Sequence, residues 1–290
     1  MKPNAEFLNK PEYFWATVKI IGEELGYSNK RKIPEINTPS FSEIVAAFEK
    51  RQLDTSSLVD GNNQPSIYAK ELISYFYFRS NLLCNTVKNL LMDKEEARNT
   101  FYNLKSKHNH LPEKILPKNK QKGDKQDYAF LTCIVNILIY SNIGEYGCDY
   151  DPRRLTSVTQ NGVPVQTLSR RVDGALPNTI NPIAIWEIKE YYNTKTFGSR
   201  VADGIYETLL DGMEINMLEA SGNKRIDHIL IVDSFITWWE KGRSYLCRII
   251  DMLHMGYVDE VIFGKEALHR IPKLVEEWNH RMSTSYRSSE

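Results

Sequence analysis

Cysteine is scarce and scattered. Cys84, Cys133, Cys148 and Cys247 are the only four in 290 residues, and no two stand as a CxxC pair. That spacing argues against a zinc ribbon and predicts reduced thiols packed in the interior. Long apolar runs are absent too: nothing approaches the ~20 residues that a membrane span requires. The first ten residues lack an apolar stretch followed by small residues, which argues against a secretory signal. A cytoplasmic location without a membrane partner is the expectation. Net charge is also missing, with 37 basic residues against 37 acidic ones. Bulk positive charge therefore does not announce a polyanionic partner. Neutrality still permits carboxylates gathered in one place and basic residues in another, because distribution matters more than the sum. A Walker A loop is lacking, since Gly264-Lys265 has neither the upstream glycine nor a following Ser or Thr. A built-in ATP-driven translocase is therefore not supported. No internal repeat or low-complexity tract is found.

What is present is an ordinary globular composition, 41% hydrophobic and 26% charged, long enough for one large domain or two modest ones. Phe14, Val18, Ile21 and Leu25 recur at helical spacing and predict a helix over 11–26, ended by Gly26. Ser40 with Glu43 is a capping-box pattern that opens a second helix. A third is expected from about Tyr68 towards Met92. Residues 105–125 carry seven lysines and only two acids. They read as a basic linker, either a solvated tether or a contact for a phosphate backbone. His108 and His110 have metal-like spacing but no acid or cysteine partner in sequence, and read as a polar loop.

Beyond the linker, helix and strand signals alternate. Residues 128–140 suit a buried helix. Asn161-Gly162 between β-rich flanks predicts a hairpin within 155–172. Short apolar strands are expected at 183–188 and 228–232, helices at 199–217, 238–255 and 268–280, and an edge strand at 260–263. Residues 283–290 read as a polar, disordered tail. The fold class is α/β, a mixed central sheet flanked by helices. A helical amino-terminal region spans 1–120, and the sheet-bearing region with its carboxy-terminal extension spans 121–282.

Chemistry concentrates between Arg171 and Lys189. Two prolines and two asparagines in the middle favour a loop between adjacent, antiparallel strands. If that loop is centred near Ile180, Asp173 lies opposite Glu187. Side chains alternate along a strand, so Glu187 and Lys189 share one face and Ile188 takes the other. Charges on an otherwise apolar strand are costly unless partnered. Two carboxylates side by side call for a cation between them, and a hard divalent ion with oxygen ligands fits. Lys189 would then orient and help deprotonate an attacking water. The plainer reading is a salt bridge from Lys189 to Asp173, with Glu187 in solvent.

Asp173 followed by Glu187-Ile188-Lys189 resembles the bipartite motif of the PD-(D/E)XK nuclease superfamily, and the element order across roughly 125–235 is similar to that fold's core of helix, three antiparallel strands, helix and strand. The resemblance implies that Asp173, Glu187 and the Ile188 carbonyl hold Mg2+ and that Asp173, Glu187 and Lys189 are catalytic. Val172 stands where the idealised motif has proline. The first core helix offers only Asp127 and Asn136 towards a second metal site. The function implied is a type II restriction endonuclease: sequence-specific cleavage of double-stranded DNA by a homodimer, with a methyltransferase as a possible cognate partner. A repair, recombination or phage-defence nuclease on the same core, an RNA-directed nuclease, and an inactive DNA-binding protein are the alternatives.

Further DNA contacts are expected from Lys195, from Ser199 and Arg200 at a helix start that favours phosphate, and from Arg153, Arg154, Arg170 and Arg171 flanking the hairpin. Solvated arginines and an ordinary helix cap are the plainer reading of the same residues. Asp203 and Glu207, one helical turn apart, are weaker catalytic candidates. Trp238-Trp239 reads as an anchor for the last helices, with base stacking as the alternative.

Overall fold

The computed structural model describes residues 1–29, 35–119, 127–193, 198–223 and 225–287. Helices come first. α1 (Glu12–Leu25) buries Phe14, Val18 and Ile21 and stops at Gly26, as the spacing predicts. α2 (Phe41–Lys50) opens with the expected capping box, the Ser40 N–H donating to the Glu43 carboxylate at 2.8 Å. α3 (Ile67–Leu82) continues through a π-helical turn (Leu83–Val87) into the one-turn α4 (Lys88–Leu90). α5 (Lys94–Ser106) is additional to the predicted helices, although Asp93 and Glu96 spell a second capping box.

The described part of the basic stretch after α5 is not a tether. Up to Asn119 it packs down: Ile115 sits fully buried in a 3-10 turn (Glu113–Ile115), and its carbonyl accepts from Asn136 Nδ2 at 3.1 Å. One well-placed isoleucine outweighs the surrounding lysines, whose stems can lie along the surface with their charges in water. The remainder, 120–125, lies outside the described residues.

α6 (Phe130–Asn142) is the expected buried helix, apolar nearly all round. Residues 146–151 contribute to the sheet a single antiparallel bridge, between Asp149 and Ala175. Gly144, Gly147 and Pro152 bracket it and keep the ladder from growing. β1 (Ser157–Gln160) and β2 (Val163–Thr167) form a separate hairpin whose corner residues, Asn161 and Gly162, have φ of 52° and 81°. Both positive values match a tight hairpin turn.

The main sheet is mixed. It comprises β3 (Gly174–Leu176), β4 (Ala184–Glu190), β5 (Asp227–Asp233) and β6 (Glu260–Phe263), in that order. β3 and β4 are antiparallel, and the other pairs parallel. α7 (Ser199–Ala220) is the crossover from β4 to β5. α8 (Arg243–His254) precedes β6, and α9 (Ala267–Arg287) follows it. The helix therefore runs on past residue 283, where the sequence predicts a disordered tail; Trp278 and Met282 are buried along it.

The chain divides into two compact units. A helical unit holds 3–89 and 238–256, and a sheet unit holds 1–2, 90–237 and 257–290. The division falls at Leu90 rather than near residue 120, and 238–256 joins the helices rather than the sheet. In the helical unit, Phe7, Phe14, Trp15, Tyr75 and Phe76 form an aromatic core. α8 contributes Asp251, which accepts from Arg79 Nη1 at 2.8 and 2.9 Å and from the Tyr75 hydroxyl at 2.5 Å. Trp238 and Trp239 are buried, which leaves no open ring face for a base.

Candidate active site

β4 has two chemically opposite faces. Ala184, Trp186 and Ile188 enter the large core with α6 and α9. Ile185 turns the other way, towards Ile215 and Leu218 of α7. Glu187 and Lys189 alternate onto that second face. The register Gly174–Trp186, Ala175–Ile185 sets Asp173 one step further on, opposite Glu187, as the loop midpoint suggests. The Asp173 N–H donates to the Trp186 carbonyl at 3.1 Å, and its carboxylate accepts from the Ile188 N–H at 2.8 Å. Gly174 makes this possible: a Cβ there would lie 2.0 Å from the Trp186 indole. Only glycine lets that ring cross β3, so the register beside the site depends on it.

Two cations serve the carboxylates. Lys189 Nζ lies 2.8 Å from Glu187 Oε2 and 3.4 Å from Glu207. Arg170 Nη1 lies 2.6 Å from Asp211 and 3.0 Å from Glu187 Oε1, while Nη2 donates to Glu187 Oε2 and to Glu207, each at 3.2 Å. Glu187, Lys189 and Asp211 are buried. The Lys189 stem passes beneath Gly204 of α7, where a Cβ would approach its Cδ to 3.3 Å. Arg170 is steered into place by its neighbour: the Ser169 N–H donates to the Glu214 carboxylate at 3.0 Å. Glu207, Asp211 and Glu214 recur at four- and three-residue steps, so one face of α7 meets this segment.

Electrostatics follow from burial. Desolvation, reinforced by the Glu187 charge, pushes Asp173 up to about 6. Its surface reaches the adjoining cleft, yet protein surrounds it closely enough for desolvation to dominate. Burial pushes Asp211 up to about 7, which Arg170 only partly offsets. Burial would raise Glu187, but Lys189 and Arg170 outweigh it and hold the carboxyl low. Burial would likewise lower Lys189, but Glu187 and Asp173 keep it above the usual lysine range. Lys189 is thus a charged donor here, suited to orient a water rather than to take its proton.

Beside Asp173 opens a cleft of about 920 Å³ lined by Arg153, Arg154, Arg170 and Arg171. The four arginines that flank the hairpin in sequence therefore line one cleft together with the aspartate. Arg153 is exposed and pairs with Asp151 at 2.6 Å. Arg170 differs from the other three, because its guanidinium is engaged by three carboxylates, two of them buried, whereas the acid that Arg153 meets is exposed. Ser199 and Arg200 are exposed at the start of α7, but Gly198 is the N-cap and Ser199 makes no capping bond. Neither is among the cleft-lining residues. Lys195 lies outside the described residues.

Among the described residues no three His, Cys, Asp or Glu side chains are close enough to cage a metal on their own. Magnesium does not ask for such a cage: one or two carboxylates, with water and substrate phosphate completing the shell, suffice. Asp173 and Glu187 supply that donor type. Glu187 Oε1 and Asp211 Oδ1 are buried without a well-directed hydrogen bond, so oxygen lone pairs remain to be met. The residues present fit a hard divalent ion. Asp211 is not singled out by sequence reasoning; Asp203, Glu207 and Asp211 at four-residue steps carry the signal that could have found it.

Residues 92–278 match the family model of a domain of unknown function, DUF7687. The chain belongs to this family. Residues 1–86 match a second domain of unknown function, DUF7690, so the two models part close to where the compact units do. No curated protein and no solved structure matches.

Proposed function

We propose that this chain hydrolyses DNA phosphodiester bonds with magnesium, cutting double-stranded DNA at a defined sequence in the manner of a type II restriction endonuclease. One observation carries the reading: Asp173 stands opposite Glu187, with Lys189 two residues further along the same face of β4, and Asp173 also lines a cleft walled by arginines. Carboxylates for a hard cation and guanidinium groups for a phosphate backbone are the two halves of such a site.

Asp173 and Glu187, with the Ile188 carbonyl, would hold the ion. When bound, magnesium supplies charge neutralisation at the phosphate and a water acidic enough to attack. Lys189 Nζ directs hydrogen bonds at that water and at the charge developing on phosphate oxygens. Arg153, Arg154 and Arg171 bind backbone phosphates and set the duplex in register, a positioning role without sequence information of its own. A homodimer, one protomer per strand, is the assembly this reading implies. Light scattering that finds a strict monomer with and without DNA contradicts it. Protection of the same sequence by a methyltransferase would follow from a restriction role.

The test is incubation of the purified protein with a phage-genome-sized duplex in magnesium, with EDTA as control. Discrete bands that EDTA abolishes are expected. A smear keeps the nuclease and discards sequence specificity, pointing to a repair, recombination or phage-defence enzyme. Gel retardation without cleavage under any divalent metal replaces the proposal with an inactive DNA-binding protein.

A further inference from the structure

Arg170 stands apart from the other arginines of the cleft. Its guanidinium touches three carboxylates at once: Glu187, Glu207 and Asp211, all within 3.2 Å. Two of these acids, Glu187 and Asp211, are fully buried. Glu187 is also one of the two carboxylates that the nuclease reading assigns to the metal. Lys189 engages only Oε2 of Glu187, whereas Arg170 faces both oxygens, so its guanidinium and a divalent cation compete for Oε1 in a poorly hydrated site. A phosphate in the cleft, by contrast, offers that guanidinium a new anionic partner without moving its Cα, because Arg170 lines the cleft wall as well.

We infer that Arg170 is an internal competitor for the metal site, holding Glu187 until a divalent cation displaces its guanidinium towards the cleft. This rests on the nuclease reading and deepens it. Asp211 is the pivot: its 2.6 Å contact to Nη1 can persist while the contacts to Glu187 break. The exchange never leaves Glu187 uncompensated: a divalent cation arrives as the guanidinium withdraws from that carboxylate, and the contact to Asp211 is kept. It also ties metal loading to substrate, because phosphate in the cleft stabilises the displaced arginine. By linkage, metal in turn favours phosphate binding.

The experiment measures Mn2+ affinity of the full chain without DNA, by electron paramagnetic resonance of free Mn2+, for wild type, Arg170→Met and Glu187→Gln. Removing the competitor should tighten Mn2+ binding by at least about tenfold, the scale expected when a like charge a few ångströms away is deleted from a buried site. Glu187→Gln should abolish it. Circular dichroism checks folding, and if Arg170→Met does not fold, Arg170→Gln replaces it, keeping hydrogen-bond donors without the charge. Equal or weaker binding by the arginine variant, with Glu187→Gln still deficient, overturns the competitor role and leaves the metal site standing. Arg170 would then be a positioning residue for Glu187. Absence of Mn2+ binding by both wild type and the arginine variants overturns the inference together with the metal reading.

Discussion

Each unit of the molecule contains an arginine set among acids and aromatic or apolar neighbours, and the two are built differently. In the helical unit Arg79 meets one carboxylate, Asp251, and is sealed at 1% exposure, with its guanidinium over the rings of Tyr27 and Phe76. Charge is balanced one to one, and Tyr75 completes the carboxylate. In the sheet unit Arg170 meets three carboxylates, keeps 23% of its side chain exposed, and borders an open cleft. Buried oxygens there remain without well-directed donors. The first arrangement leaves no carboxylate oxygen unmet; its one unpartnered polar atom is a donor, Arg79 Nε. The second carries surplus negative charge next to solvent, which is what a site for a cation and a phosphate requires. Burial of an ion pair alone does not mark function; imbalance beside an opening does.

Substitution of the two arginines should give the largest effects. Arg79→Met leaves the buried Asp251 charge without its cation, only the Tyr75 hydroxyl still donating to it, and should cost about 3–5 kcal/mol in urea unfolding. Arg170→Met should cost clearly less, because water reaches that site and Lys189 remains beside Glu187. Equal losses would remove the distinction between a structural and a functional cluster.

The next effect in size is one of pH. Asp211 at about 7 and Asp173 at about 6 are easier to protonate folded than unfolded, where carboxyls titrate near ~3.9. Their contribution to stability is therefore fully present below that value and is lost as pH rises through about 7. Glu187, held low by its cations, acts in the opposite sense, its contribution being lost as pH falls. Asp211→Asn should flatten the decline in stability between pH ~4 and ~7, by at most about 1.4 kcal/mol per pH unit. Unfolding profiles that stay parallel to wild type across that window contradict the assignment. The smallest effect is on binding alone. Arg153→Ala with Arg154→Ala should leave unfolding unchanged and weaken the salt dependence of DNA retention, the log–log slope shrinking by about one for each phosphate no longer neutralised. An unchanged slope removes both from the interface.

Much of the site was legible because strands are periodic. A loop rich in proline and asparagine has a midpoint, and that midpoint alone pairs Asp173 with Glu187. The Asn161-Gly162 corner and the Ser40–Glu43 cap were equally local signals. What escaped depends on tertiary placement. Helical spacing groups Asp203, Glu207 and Asp211, but only packing buries Asp211 and leaves Asp203 more open. Arg170 and Arg171 are neighbours of one kind in the sequence; backbone direction sends the first to the carboxylates and leaves the second exposed in the cleft wall. Residues 238–256 read as helix correctly, yet the partners of Asp251 lie some 170 positions away, at Arg79 and Tyr75, which no local pattern encodes.

The central claim is that Lys189 and its two carboxylates perform phosphodiester hydrolysis. The most direct measurement compares wild type with Lys189→Ala on supercoiled plasmid in magnesium, alongside DNA retention and thermal unfolding of both. Lys189→Ala should lower the rate by about 10²–10³-fold, the range for loss of one donor aimed at developing charge, with retention and folding kept. Cleavage by Lys189→Ala at the wild-type rate would contradict the claim.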